Sequence, residues 1–254
     1  MPSPLHTTIR DLHRQKGRER RGLTLAEGVR LVEEAVEASG TIESAVYSPD
    51  LEKTPRGQAL LQALERSGID PERVTDAELE RLADTQHPQG IIAVVRAPRW
   101  SLKDIKVRMG PVLVLDAVQD PGNTGTMLRT ALALGAAGII ALPGTVEVTN
   151  PKVLRGSMGA VFRLPWVELN PEDFLAWVRQ EKVTLLAAAT DGDPISGMDI
   201  RLPAAVVVGN EGAGLSPAVR MAGRAVSIPI SSGTESLNVA VAAGILLYEV
   251  NRGR

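Results

Sequence analysis

Unbroken blocks of valine, isoleucine, leucine and alanine recur along this chain, separated by segments whose apolar residues return every three or four positions. The blocks "GIIAVVRAP", "PVLVLDAV", "GIIALP", "VTLLAAAT" and "AAVVVG" predict strands buried on both faces. The periodic segments "VRLVEEAVEASG", "RGQALLQALERSG", "DAELERLADT", "TGTMLRTALALG", "PKVLRGSMGAV", "PEDFLAWVRQE" and "SPAVRMAG" predict amphipathic helices, the first closed by Gly40. With the strands "GLTLAEG" and "IESAVYSP", residues 1–97 read as a small α/β domain. A polar stretch at 98–110, opening with Pro98, reads as a linker. Across 111–254 strands and helices alternate more strictly, which predicts a parallel sheet covered on both faces.

The last helix departs from this pattern. In "SSGTESLNVAVAAGILLYEV" (231–250), only Ser236, Asn238 and Glu249 are strongly polar from Ser236 onward. Ser232 and Glu235 have the spacing of a capping box. The alternative is a buried helix end that delivers a hydroxyl, an amide and free N–H groups into a site. A helix apolar all round needs burial on more than one side, which favours a partner copy.

Composition narrows the chemistry. Of 254 residues 44 % are hydrophobic, enough for a proper core, and there is no cysteine. Disulfides, thiolate metal sites and cysteine nucleophiles are therefore excluded. The three histidines, His6, His13 and His87, all fall early, so chemistry in the second half runs without a histidine base. No cluster of metal ligands stands out, and no metal is expected. The first residues lack an apolar h-region, and the longest apolar run, 131–142, is too short to cross a bilayer. A soluble cytoplasmic protein is the expectation. Net charge is −2, yet residues 1–22 hold Arg10, Arg14, Lys16, Arg18, Arg20 and Arg21 against Asp11 and Glu19. The following residues up to 100 carry eight basic and fourteen acidic groups. A basic arm on an acidic domain can track phosphates, and a solvated leader segment is an equal alternative.

In open α/β sheets ligands bind beyond the carboxyl ends of the strands. Three loops there have unusual composition. "LDAVQDPGNTGTMLRTA" (115–131) offers Asn123 or Thr124 as a helix cap and Arg129 on the next turns. "VVVGNEGAGLSP" (206–217) surrounds Glu211 with three glycines that allow close backbone approach. Their spacing is neither G-x-G-x-x-G nor a P-loop. The third loop brings Ser236 and Asn238. The set suits binding a polar cofactor and positioning a hydroxyl.

At these loops the sequence resembles the SpoU (TrmH-type) branch of the SPOUT RNA methyltransferases. The motif N-x-G-x-x-x-R-T-A matches Asn123, Gly125, Arg129, Thr130 and Ala131. The glycine-rich motif matches Gly209, Glu211, Gly212 and Gly214; the third matches Ile228, Pro229 and Glu235 to Val239. Ala240 departs from the serine more usual there, and leaves the S-L-N core intact. "EGVRLVEEA" and "HPQGIIAVV" resemble an L30e-like substrate-binding domain.

The resemblance implies a Rossmann-like domain with a deep C-terminal trefoil knot, a homodimer, S-adenosyl-L-methionine as cofactor and a ribose 2′-hydroxyl of RNA as acceptor. Ribosomal RNA is favoured over transfer RNA; a non-catalytic RNA-binding protein of the same fold is the alternative from another class. The implied roles follow. Arg129 holds the 2′-oxygen and adjacent phosphate, since a guanidinium is a poor base. Asn123 and Glu211 orient the ribose or Arg129, and Ser236 and Asn238 hold the pocket. Main-chain groups at Thr190, Gly209, Ile228 and Leu237 hold the cofactor.

Overall fold

The computed structural model describes residues 3–38, 42–86, 88–231 and 236–252, and among these it has twenty-two short elements, most of them where the apolar pattern places them. The first ten are α1 (Pro4–Leu12), α2 (Gln15–Arg21), β1 (Thr24–Glu27), α3 (Val29–Glu37), β2 (Ile42–Tyr47), α4 (Pro49–Glu52), α5 (Pro55–Arg66), β3 (Glu72–Arg73), α6 (Asp76–Leu82) and β4 (Ile91–Val95). There follow β5 (Val112–Asp116), α7 (Pro121–Ala133), β6 (Gly138–Ala141), α8 (Pro151–Ser157), α9 (Ala160–Arg163), β7 (Trp166–Glu168) and α10 (Pro171–Glu181). The chain closes with β8 (Thr184–Pro194), β9 (Ala204–Gly209), α11 (Pro217–Ala222), β10 (Arg224–Ser227) and α12 (Val239–Asn251). Contacts group them into two compact units: Met1–Arg99 with Val148–Phe162, and Trp100–Glu147 with Arg163–Arg254.

The first unit holds a four-stranded sheet in the order β1-β4-β2-β3. β4 runs antiparallel to both β1 and β2, while β3 adds a parallel edge to β2. Every residue of β1 and β4 is buried, so both strands are covered on two faces. The basic segment 1–22 is no free arm. It folds into α1 and α2, with Ile9 and Leu12 in the core beside Leu25, Val46, Leu79, Leu82 and Ile92. Its apolar residues are few but correctly phased, and the charges around them hide the helical pattern.

Residues 148–162, read above as part of the C-terminal domain, pack into this first unit. α8 lies on β1, and the Thr24 hydroxyl donates to the Thr149 carbonyl at 2.6 Å. The expected helix "PKVLRGSMGAV" breaks in two, because Met158 and Gly159 both adopt left-handed backbone, φ 50° and 91°. A Cβ on Gly159 would come within 2.5 Å of Glu34, so only glycine permits this approach to α3.

The second unit is a six-stranded, wholly parallel sheet in the order β10-β8-β9-β5-β6-β7. Its core joins Val112, Val114, Ile140, Val207, Phe174 and Trp177. Part of the supposed linker belongs to it: Ile105 and Val107 are buried in the same core, with Trp100 and Leu102 against it. Their apolar residues are interspersed with lysine and arginine, which makes the segment look polar. β7 and β3, three and two residues long, are too short to announce themselves in sequence. β8 runs four residues past the expected strand end, because its pairing with β10 jumps from Ala187 opposite Ala225 to Asp193 opposite Val226. Residues 188–192 bulge out between those two pairs.

Candidate functional site

All six strands of the second unit run one way, so the chain leaves β5, β8, β9 and β10 at the same edge of the sheet. A cavity of about 660 Å³ opens there. Ala188, Ala189, Val208 and Leu246 give it apolar walls, and Thr190, Gly209, Ile228 and Leu237 line it together with Glu211, Ser236 and Asn238. Seven residues singled out in sequence thus share one cavity, brought there by three separate loops.

Asn123 joins them through hydrogen bonds. Its Nδ2 donates to Glu211 Oε1 at 3.0 Å, and its Oδ1 accepts from Asn238 Nδ2 at 3.0 Å. The two bonds fix the amide's orientation, one as donor and one as acceptor. Each asparagine also sits at a helix start. The Asn123 backbone N–H donates to Asp120, which caps α7; the caps suggested from sequence, Asn123 or Thr124, lie inside the helix instead. Asn238 caps α12, its Oδ1 accepting from the N–H groups of Ala240 and Val241. The helix therefore begins at Val239 and Ser236 lies ahead of it. Ser232 and Glu235, the suggested capping box, lie outside the described residues, as does His87.

The glycine-rich loop is held by residues that sequence reasoning passed over. Asn210 donates from Nδ2 to the Ala117 carbonyl and accepts at Oδ1 from the N–H groups of Gly212 and Ala213. Its backbone bonds to Gly214 in both directions. The buried Asp116 carboxylate accepts from the Ser216 N–H at 2.6 Å, tying the far end of the loop to β5. An acidic residue ending an apolar strand, and an asparagine directly after another, were the available signals. Gly209 is sterically required: a Cβ there would lie 2.4 Å from the Gly214 backbone. At the rim Arg220 donates from Nη2 to both Asp191 oxygens, at 2.7 and 2.6 Å. Arg220's hydrogen bond, aided by a backbone bond and its charge, holds the Asp191 carboxyl below the usual carboxylate range.

Arg129 is not brought to this cavity. Six residues beyond Asn123 on α7, it is displaced by about 9 Å along the axis and about 120° around it. It lies exposed in a groove between α7 and α12 with Thr126, Thr130, Ile245 and Tyr248. Beside it Leu132, Val241, Ile245 and Tyr248 expose apolar surface; Tyr248 is 55 % exposed. The basic residues of the first unit also separate. Arg18 is 4 % exposed and donates to the Leu12 and His13 carbonyls, so its guanidinium serves the fold and not a phosphate. Arg20 and Arg21 both bind Asp11 at 2.7 Å. Arg10, Arg14 and Lys16 are exposed with no ion pair among the described residues. No group of three metal-ligating side chains occurs among the described residues, and no helix among them is long and apolar enough to cross a membrane.

Residues 110–248 match the SpoU rRNA Methylase family, and residues 7–93 match the MRM3-like substrate binding domain. A Synechocystis protein described as an uncharacterized tRNA/rRNA methyltransferase is 35 % identical, with 98 % of this chain and 91 % of that protein covered. The 23S rRNA (guanosine(2553)-2′-O)-methyltransferase RlmP of Bacillus subtilis is 33 % identical, covering 94 % and 92 %. Among solved structures, the SpoU methyltransferase AviRb from Streptomyces viridochromogenes in complex with AdoMet superposes with a TM-score of 0.87 at 30 % identity, covering 99 % and 98 %. An AdoMet-bound rRNA methyltransferase from Sinorhizobium meliloti gives 0.86 at 33 %, covering 99 % and 95 %.

Proposed function

The chain belongs to the SpoU rRNA methylase family, and we propose that it transfers a methyl group from S-adenosylmethionine to a ribose 2′-hydroxyl of structured RNA, with ribosomal RNA as the substrate class. The observation that carries this reading is the Glu211–Asn123–Asn238 hydrogen-bond chain at a cavity lined by Thr190, Gly209, Ile228 and Leu237. The cavity suits the cofactor. Its volume lies in the ordinary range for small-molecule sites, and its lining divides about evenly between apolar and polar surface, as a cofactor with both an adenosine and a charged methionyl end requires. The Gly209–Leu215 loop brings bare backbone to the ligand.

When bound, the cofactor supplies an electrophilic methyl group on a sulfonium. The protein's part is to present the hydroxyl. Glu211 Oε2 has no partner among the described residues and is free to accept from a ribose hydroxyl, while Asn123 holds the other oxygen. Arg129 lies outside the cavity of its own chain, so its role belongs to the homodimer: the Arg129 of a second copy stabilises developing charge on the 2′-oxygen and grips the neighbouring phosphate. The apolar surface beside Arg129 on α7 and α12 supports a homodimer in which a second copy covers Leu132, Val241, Ile245 and Tyr248. Along with this reading go a knotted C-terminal path, a cytoplasmic place of action, and RNA contacts from Arg10, Arg14 and Lys16.

The test is transfer of radiolabelled methyl to unmodified ribosomal and transfer RNA. Arg129→Ala is expected to abolish transfer while calorimetric binding of S-adenosylmethionine stays within a few-fold of wild type. Full activity of that variant would refute the role of Arg129. Transfer to transfer RNA alone would move the substrate class, and none to either RNA would leave an RNA-binding protein.

A further inference from the structure

Arg220 and Asp191 are absent from all three family motifs, yet Arg220 lines the cavity and Asp191 holds it there. Among the described lining residues Arg220 carries the one positive charge and Glu211 the one negative. Glu211 is engaged by Asn123. Arg220 is half committed: both Asp191 oxygens sit on Nη2, and Nε and Nη1 have no partner among the described residues. The side chain is 44 % exposed, so part of it forms the wall.

The fold builds this arrangement on purpose-shaped backbone. The bulge of β8 at residues 188–192 places Ala188, Ala189 and Thr190 along the cavity and Asp191 against α11. Gly192 lets that strand pass close to β10, since a Cβ there would lie 2.5 Å from the Val226 nitrogen. The bulge thus orients a guanidinium whose remaining donors have no partner among the described residues.

We infer that Arg220, positioned by Asp191, binds the carboxylate of the cofactor's methionyl end. The inference rests on the proposed methyltransferase function. S-adenosylmethionine carries a sulfonium, an ammonium and a single anionic group. Of the charged side chains on the described wall, only Arg220 attracts that anion, and donation from an ionised group to a carboxylate is among the stronger hydrogen bonds. Asp191 keeps the guanidinium from folding out to solvent and leaves the arginine–aspartate pair neutral until the cofactor adds its carboxylate.

Calorimetry on the full chain tests this with two ligands, S-adenosylmethionine and its decarboxylated form, which lacks only the carboxylate. Wild type is expected to bind the decarboxylated form about tenfold or more weakly, the size of one charge-assisted hydrogen bond. Arg220→Ala and Arg220→Gln should bring S-adenosylmethionine down to that level and leave the decarboxylated form unchanged, which also shows that the variants are folded. Equal loss for both ligands, or an undiminished preference for the carboxylate, would overturn the role of Arg220. Failure of wild type to bind either ligand would instead sink the proposed function.

Discussion

The two units use polar side chains in opposite ways. In the first, charge is turned inward: Arg18 binds carbonyls of its own helical segment, and Glu27, 7 % exposed, faces Arg155 while accepting from the Asp84 and Thr85 N–H groups. Arg155 also binds Asp84 at 2.7 Å. In the second unit the middle strands β5, β6 and β9 are almost wholly apolar, and polar residues collect where the strands end, some with part of their bonding capacity left over. Glu211 Oε2 and two nitrogens of Arg220 have no partner among the described residues. A charge completed by its own fold stabilises; a charge left incomplete at the open end of a parallel sheet is placed for a ligand.

The most damaging change to the second unit should be Gly209→Ala. The added Cβ meets backbone, which has no rotamer to escape into, so the loop to Leu215 must shift. Binding of S-adenosylmethionine is expected to fall below calorimetric detection, while far-ultraviolet circular dichroism shows the sheet retained. Retention of wild-type affinity would show that loop closure is not needed.

Next in size, and confined to the first unit, is Arg155→Ala. It leaves the buried Glu27 without its cation, which should cost about 3 kcal/mol in urea unfolding. S-adenosylmethionine affinity should stay near wild type. The change also has a pH signature. Burial by itself would raise the Asp84 carboxyl, but the Arg155 hydrogen bond and charge, with Lys152 and His13, outweigh it and hold it below the ordinary range. A carboxyl lowered by folding stabilises above its unfolded value, near pH 4, and loses that contribution as pH falls through its folded value. The stability gap between wild type and variant should therefore narrow below about pH 4; a gap constant with pH would remove Asp84 from the network.

The smallest effect tests whether the first unit also offers free charge. Asp11→Asn releases Arg20 and Arg21, whose hydrogen bonds, with their charges, keep the Asp11 carboxyl low. Thermal stability should hardly move. The salt dependence of RNA binding should steepen by roughly one to two units of log–log slope, as two more guanidiniums reach phosphates. An unchanged slope would leave Arg10, Arg14 and Lys16 as the RNA-facing group.

Periodicity alone located most of the strands and helices, because a strand covered on both faces must be continuously apolar and a surface helix must repeat near 3.6 residues. It missed α1 and α2, whose two core residues are surrounded by charge, and it joined α8 to α9 across the left-handed Met158 and Gly159. The candidate site was legible where residue type itself carried chemistry, as at Asn123, Glu211 and Asn238. Asn210, Asp116 and Arg220 were not, since an asparagine, an aspartate and an arginine are common in loops and helices and gain meaning only from their partners.

What the sequence determined by itself is therefore local: which segments are strands or helices, and which loops carry unusual polar residues. The tertiary structure decided the rest. The parallel strand order gathers three loops, up to 115 residues apart, onto one cavity and links Asn123 to Asn238. It assigns 148–162 to the first unit, and it leaves Arg129 on another face of α7 from Asn123. These outcomes depend on which surfaces meet when the sheet closes, and hydrophobic periodicity records only that a surface must be covered, never by what.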